Sequence, residues 1–430
     1  MFVTLSEAKG PSRGIPMRIH TAVTMALLVA APLHAQVAPS APAASQKPSS
    51  PDSLFNRGLT AFFANDLVTA LPLLRRASTA VPEDPERLLW LAETARRLEA
   101  FEEADSTIRA AMSLLPCSSF AHTVLATLYS PQYSNWSGVS DDTAWIHLRA
   151  AVRCDESDGN AWVPLWIEAQ RHEDDSLADR ALVQLTRTGF LSGPYLTLAR
   201  WVLAALPENA VLVTAGDLDT YPAAAVQFVE QVRPDVAVVN LSLLNLPWYA
   251  ARFRAKTSVP LPLTDDSLQI YVDSLKPNAP YLSALIIGFW RQRAAAGSLG
   301  RPLAFALTAG EQPASKEIGS MRFSGPYSLV VPYDSVVSMD TSSTRLSLEQ
   351  IKAREWVGPA VSTQDRSPVR RVSAVPAGLI PAAVAWLYAQ QLATDGDSAG
   401  GQRWAEWARG FAREAGLPAE MQRELFGEPR

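Results

Sequence analysis

The chain has 430 residues, 48% of them hydrophobic and 19% charged, with a formal net charge of −5. That length suits two or three domains, and that balance suits sizeable buried cores. No run of Lys or Arg supplies the concentrated cationic face that displaces counterions from a duplex, which argues against nucleic acid as a partner.

Residues 1–35 read as a leader. From Met17 a short basic start (Arg18, His20) precedes an apolar stretch from Thr21 to Pro32, and Leu33-His34-Ala35 ends in a small residue before Gln36. This is the layout of a secretory signal cleaved after Ala35; the alternative is a buried N-terminal helix. Met1 to Pro16 is polar, which leaves Met1 and Met17 as competing starts. No Cys follows the cleavage point, so no lipid anchor is expected there. No later stretch reaches the roughly 18 apolar residues of a spanning helix. The expectation is an exported chain, periplasmic or extracellular, with no membrane span in its mature form. Residues 36–51, rich in Ala, Pro and Ser, read as a disordered linker.

Over residues 52–206 a period emerges. Leu54, Gly58, Ala70, Leu74, Ala77 and Pro82 occupy the same slots as Leu88, Ala92, Ala104, Ile108, Ala111 and Pro116, 34 residues later. Small residues at facing slots let two antiparallel helices approach, Leu74 and Ile108 fill the seam, and each Pro stops a helix because it has no N–H to give. Period and slots resemble the tetratricopeptide repeat. A third unit uses Leu125, Ala126 and Tyr129, then Ala144, Leu148 and Ala151 after an insertion around Pro131 to Asp142. A fourth uses Trp162, Leu165, Ala178 and Leu182. Such an array offers a concave groove for a protein or peptide, or else packs on the next domain. Cys117 and Cys154 follow the second helices of adjacent units. They are a candidate disulfide in an oxidising compartment, with two buried free thiols as the alternative.

Residues 207–338 read as a Rossmann-like α/β domain with parallel strands. Val211–Thr214 and Val236–Val239 are β-branched runs, and a helix follows each. Thr220 is placed to cap the first of these helices, and Arg233-Pro234-Asp235 to end it. Leu282 to Ala295 is a later helix, Pro302 to Leu307 a third strand, and Tyr327 to Pro332 a fourth. Residues 339–376 form an irregular segment with one short helix near Leu346 to Trp356. Residues 377–430 carry C-terminal helices at Ala377–Leu392 and Gln402–Ala415, whose Trp386, Trp404, Trp407 and Phe411 form an aromatic core stripe.

Three blocks carry a second resemblance: Gly216-Asp217-x-Asp219-Thr220-Tyr221-Pro222, Arg233-Pro234-Asp235-Val236, and Asn240-x-Ser242-Leu243-Leu244-Asn245-x-x-Trp248-Tyr249. Arg301-Pro302-x-x-Phe305-Ala306-x-Thr308 and Gly325 with Val331-Pro332 follow in order. Together they resemble the soluble C-terminal region of bacterial membrane proteins that are similar to protein O-mannosyltransferases, a region of unknown function. The likeness covers Val211 to Tyr333. Leu218 stands where that family has Asn, and Ala223 to Ala225 where it has large aromatics. The membrane-spanning glycosyltransferase portion has no counterpart in this sequence. The resemblance therefore implies a fold and an extracytoplasmic setting, and it does not carry over transferase activity.

In an open α/β sheet, ligands bind beyond the carboxyl ends of the strands. Asp217, Asp219 and Thr220 follow the first strand, Asn240, Ser242 and Asn245 the second, and Thr308 the third, which makes these seven the candidate ligand-binding residues. Asp217 and Asp219 are also the candidate metal ligands, since two carboxylates can share a divalent cation; the competing view makes them ordinary turn residues. No phosphate-cradling glycine motif and no nucleophile elbow is present. His122, His147 and His172 lack close ligand spacing. Two functions follow. One is an exported interaction or scaffold protein of the cell envelope, binding a protein or glycan-bearing partner with no cofactor. The other is a divalent-metal-dependent transferase or hydrolase on carbohydrate-type substrates, using the Asp217/Asp219 turn. The lack of a His, Cys or Lys constellation favours the first.

Overall fold

A computed structural model describes residues 50–427 except 277–278, 311–313, 335–338, 355 and 357–374. The leader, most of the linker and much of the irregular segment lie outside the described residues.

Helices come first, in pairs: α1 (Pro51–Phe63) with α2 (Leu67–Ala80), α3 (Pro85–Arg97) with α4 (Phe101–Leu114), α5 (Ser119–Tyr129) with α6 (Asp141–Cys154), and α7 (Gly159–Arg171) with α8 (Asp175–Arg187). The first helix of each pair starts where its sequence supplies a cap. Ser50, Asp84, Ser118 and Asp158 accept backbone amides at the starts of α1, α3, α5 and α7, and Pro51 and Pro85 take first-turn positions where no N–H is needed. The small-residue slots are buried as the period requires: Ala70, Ala92, Ala104, Ala144 and Ala161 are fully enclosed, with Leu74, Ile108 and Leu148 between the helices. At Gly58 an added Cβ would come within 2.7 Å of the Leu74 side chain, so the first pair closes only around glycine.

Helix starts keep the register. α1, α3 and α5 begin 34 residues apart, and six extra residues between α5 and α6 shift α7 accordingly. One period after α7 comes α9 (Gly193–Ala205), a fifth first-helix without a second. The place of its partner is taken by the sheet and by α10 (Asp217–Glu230), which packs on α9 and α8.

The sheet has five strands: β1 (Val211–Thr214), β2 (Ala237–Asn240), β3 (Leu303–Ala306), β4 (Ser320–Phe323) and β5 (Tyr327–Val331), ordered β2-β1-β3-β5-β4. β1 lies parallel between β2 and β3, with Val211 opposite both Ala237 and Leu303. β5 runs antiparallel to both β3 and β4. The sheet is thus mixed, and the expectation of parallel strands holds for three of five. The physical reason is the short Ser324-Gly325-Pro326 link between β4 and β5, which allows only a hairpin, with Gly325 at φ 80° beneath Ser347. Between β2 and β3 lie α11 (Pro247–Thr257), α12 (Asp265–Asp273) and α13 (Leu282–Ala295).

α14 (Thr341–Lys352), α15 (Val375–Thr394), α16 (Ser398–Glu414) and α17 (Ala419–Phe426) complete the described chain. α15 and α16 pack on α9 and α14 around Trp201, Leu348, Ala383 and Phe411, and the Trp201 indole donates to the Ser347 carbonyl at 2.6 Å. No helix among the described residues is long and apolar enough to cross a membrane.

One core runs from the array into the sheet. Leu165, Trp166, Leu182, Leu185 and Leu203 share it with Leu212, Tyr221, Val226 and Tyr327. Arg233 closes the same junction. Its guanidinium binds Asp235 through two hydrogen bonds of 2.8 Å and donates to the Leu203, Leu206 and Pro207 carbonyls at the end of α9. That pairing holds the Asp235 carboxyl well below the usual range. The Arg-Pro-Asp turn therefore ties two elements together besides following a helix.

Candidate functional site

The first helices of the pairs, α3, α5 and α7, lie side by side. They wall a groove of about 1130 Å³ whose far end is the β1–α10 turn. The wall residues repeat in the same register as the fold. Glu86, Phe120 and Asn160 form one row, Leu89, Thr123 and Val163 a second, and Glu93, Thr127 and Ile167 a third. These positions point away from the seam of each pair, as a helix with 3.6 residues per turn requires. Sequence reasoning missed them because it tracked only the small and apolar slots that close each pair.

At the centre of the wall Glu93 accepts from Arg96 at 2.8 and 2.9 Å and from Arg97 at 2.6 Å. Burial works to raise the Glu93 carboxyl, but the two guanidiniums outweigh it and lower the carboxyl to about 2. Tyr133, carried by the six-residue insertion, also enters the groove.

Four of the seven candidate residues reach this groove: Asp217, Thr220, Asn240 and Ser242. Thr220 and Asn240 are buried and hold the floor rigid. The Thr220 hydroxyl meets Thr214 Oγ1 at 2.7 Å and accepts from Asn240 Nδ2 at 2.9 Å, while Asn240 Oδ1 accepts the Leu243 amide at 3.0 Å. Thr220 is therefore not the helix cap expected of it. α10 starts three residues earlier, with Gly216 at the cap position. The cause is Asp219, whose carboxylate accepts the Ala215 and Gly216 amides, each at 2.9 Å, and the Thr308 hydroxyl. A carboxylate in the first turn that returns to the preceding amides fixes the start.

Asp219 and Thr308 thus face each other beside a small apolar crevice of about 30 Å³, away from the groove. Asn245 is turned elsewhere too, accepting the Ser283 amide at 3.0 Å and so anchoring α13. Asp217 opens into the groove and accepts no hydrogen bond from the described residues. Although its side chain meets solvent, the groove walls crowd it. Desolvation, and after it the Asp219 charge, pushes its carboxyl up to about 6. Of the two candidate metal ligands, Asp219 has both oxygens engaged by the turn and Thr308, and only Asp217 opens into the groove.

Among the described residues the grouping that suits a metal lies elsewhere, at Asp141, Glu168 and His172, with ligand atoms within 4.8 Å of one another. Arg171 already bridges Asp141 and Glu168, and Glu168 also accepts from Ser130 and Gln132, both at 2.8 Å. A guanidinium so placed supplies the positive charge those carboxylates need. His122 and His147 meet Nδ1 to Nδ1 at 2.8 Å despite their separation in sequence. The Cys117–Cys154 disulfide closes the groove rim between the α4–α5 and α6–α7 turns.

Comparison with known proteins gives one family match and several structural likenesses. The TMEM260-associated domain 2 matches residues 196–276, from α9 through α12. No curated protein matches the chain. Among solved structures, TTC0263, a thermophilic TPR protein of Thermus thermophilus, aligns at 18% identity over 52% of this chain and 98% of its own, with a TM-score of 0.31. PilW, a widely conserved type IV pilus biogenesis factor, aligns at 15% identity over 55% and 99%, with a TM-score of 0.32. MamA aligns at 14% identity over 47% and 96%, with a TM-score of 0.27.

Proposed function

We propose that the chain is an exported interaction protein of the cell envelope, and that its groove holds an extended segment of a partner protein. The observation that carries this is the wall: three adjacent helices lining one groove through equivalent positions of the repeat, ending on a polar floor that is already hydrogen-bonded. A ladder of that kind suits a linear, repetitive ligand such as a peptide backbone. A glycan-bearing partner is the competing occupant. The α/β part is read as Rossmann-like, because β2, β1 and β3 run parallel and Asp217, Asn240 and Ser242 gather near their carboxyl ends, where such sheets receive ligands. The domain division at residues 206/207 and 338/339 belongs to the same reading. The metal-dependent transferase or hydrolase has less support, since Asp217 belongs to no group of three potential metal ligands among the described residues.

The groove is tested by selecting a phage-displayed peptide library against the full chain and mapping bound peptides by hydrogen exchange. Protection is expected on α3, α5, α7 and the β1–α10 turn, and binding is expected to vanish in Thr123→Trp, which fills the middle row. Peptides that protect other surfaces, or an oligosaccharide array that binds where no peptide does, would overturn the reading. Export rests on the leader and on the disulfide, which suits an oxidising compartment. Mass spectrometry of chain expressed in a bacterial host is expected to find Gln36 at the N-terminus of periplasmic material, and an uncleaved cytoplasmic product would refute it.

A further inference from the structure

The groove is unevenly charged. Five carboxylates line it against two guanidiniums, Arg96 and Arg97, and both of those are held by Glu93. The remaining excess is negative, and at the end formed by the β1–α10 turn it includes Asp217, the one carboxylate there with no hydrogen-bond donor among the described residues. The rings of Tyr133 and Tyr221 line the same end, and Trp166 meets Tyr221 edge-on with centroids 5.1 Å apart.

An exposed carboxylate without a protein donor, flanked by the half-exposed ring of Tyr133 and next to the buried Tyr221, suits a cation on a long apolar stem. The stem covers the Tyr133 ring while the head reaches the carboxylate. We propose that the groove takes a basic extended peptide, one of whose Lys or Arg side chains ends on Asp217 between Tyr133 and Tyr221. This rests on the reading of the groove as a peptide site and adds the chemistry of the occupant.

The recess also predicts how binding responds to pH. The groups that face Asp217 are Asp219 and Tyr221 of its own helix and Tyr133 of the insertion. Tyr133 in turn faces Glu168 of α7 and Arg96 of α3. The tyrosines stay neutral, because burial first and the nearby carboxylates second raise their hydroxyls well above the ordinary value. Asp217 is then the carboxylate whose charge changes near pH 6, whereas unperturbed carboxylates stay ionised down to about pH 4. A cation held by Asp217 is released as pH falls through about 6.

The test uses the full chain and pools of end-capped octapeptides, randomised except at one central position fixed as Lys, Arg, norleucine or Glu. Fluorescence anisotropy is expected to show Lys and Arg pools binding about tenfold more tightly than the norleucine pool, the scale of one charge-assisted contact, with the Glu pool weakest. Asp217→Asn is expected to level the Lys and norleucine pools, Asp217→Glu to keep their order, and the wild-type preference to fade below about pH 6. A melt of each variant checks the fold. Equal binding of the Lys and norleucine pools, a preference for Glu, or a Lys preference that survives Asp217→Asn would overturn this inference while leaving the peptide groove standing. If no pool binds at all, the groove reading falls with it.

Discussion

Asp217 and Asp219 stand two residues apart at the start of α10, and the backbone sends their side chains to different places. Asp219 is a built-in acceptor for two amides and a hydroxyl. Asn at 219 would set an NH2 against one of those donors, so Asp219→Asn is expected to cost about 1–3 kcal/mol. Asp217 is destabilising when ionised. Its folded-state value, about 6, stands above the roughly 3.9 of an unfolded Asp. The native state therefore keeps a proton that the unfolded chain gives up between those values, and stability falls as pH rises through that window. With allowance for solvent screening in the open groove, Asp217→Asn is expected to raise stability by about 1 kcal/mol at pH 7, and by nothing below pH 4. Thermal melts of both variants at the two pH values measure this; a lower melt for Asp217→Asn at pH 7 would show that the carboxylate is structural. The sequence placed both residues after a strand, but could not divide their roles. Thr220 is a good residue for a helix start, and only the return of Asp219 to the Ala215 and Gly216 amides moves the start of α10 back to Asp217.

At the scale of elements, legibility followed periodicity. The pairs α1/α2 and α3/α4 could be read because Ala, Gly and Leu recur at slots where only small or seam-filling residues fit. α9 was missed as a member of the series, although Gly193 lies one period after Gly159, because no second helix follows to complete the pattern. β4 was missed because Ser320-Met-Arg-Phe323 is four residues long, with Arg322 exposed, and lacks the β-branched run that marked β1 and β2. The groove wall was invisible for another reason: its rows mix Glu with Phe, and Leu with Thr, so no residue type recurs even though position does. The Cys117–Cys154 link holds two inter-repeat turns together over a separation of 37 residues. Closing a loop of that length removes unfolded-chain freedom worth about 4 kcal/mol. That constraint falls on the rim of the groove, at the ends of α5 and α6 opposite those joined by the six-residue insertion.

At the scale of the whole molecule, the sequence suggested two modules meeting near Pro207, and the packing argues against independence. Leu203 and Leu206 share one core with Leu212 and Val236, Arg233 caps the carbonyls of α9, and the Tyr327 hydroxyl donates to Ala205 at 3.1 Å. α9 also fills the second core, where Tyr195, Leu198 and Trp201 lie against α14 and α15. A fragment beginning at Pro207 would lose α9 from both cores. Several large side chains at about 1.5–3 kcal/mol each amount to a sizeable part of the 5–15 kcal/mol that holds an ordinary domain folded. Such a fragment is expected to be unfolded or aggregated. One beginning at Gly193 keeps α9 but loses the cover that α7 and α8 give to α9 and α10, and the Asp175 ion pairs with Arg252 and Lys256. It is expected to recover its helices and strands by circular dichroism, with a lower melting temperature than the full chain. In the full chain the shared core predicts that the sheet and the repeats from α7 onward melt together, in one transition seen alike by far-ultraviolet signal and tryptophan emission. A well-folded Pro207 fragment, or two separated transitions in the full chain, would show that the array is an appended module and that the groove is assembled from two bodies rather than one.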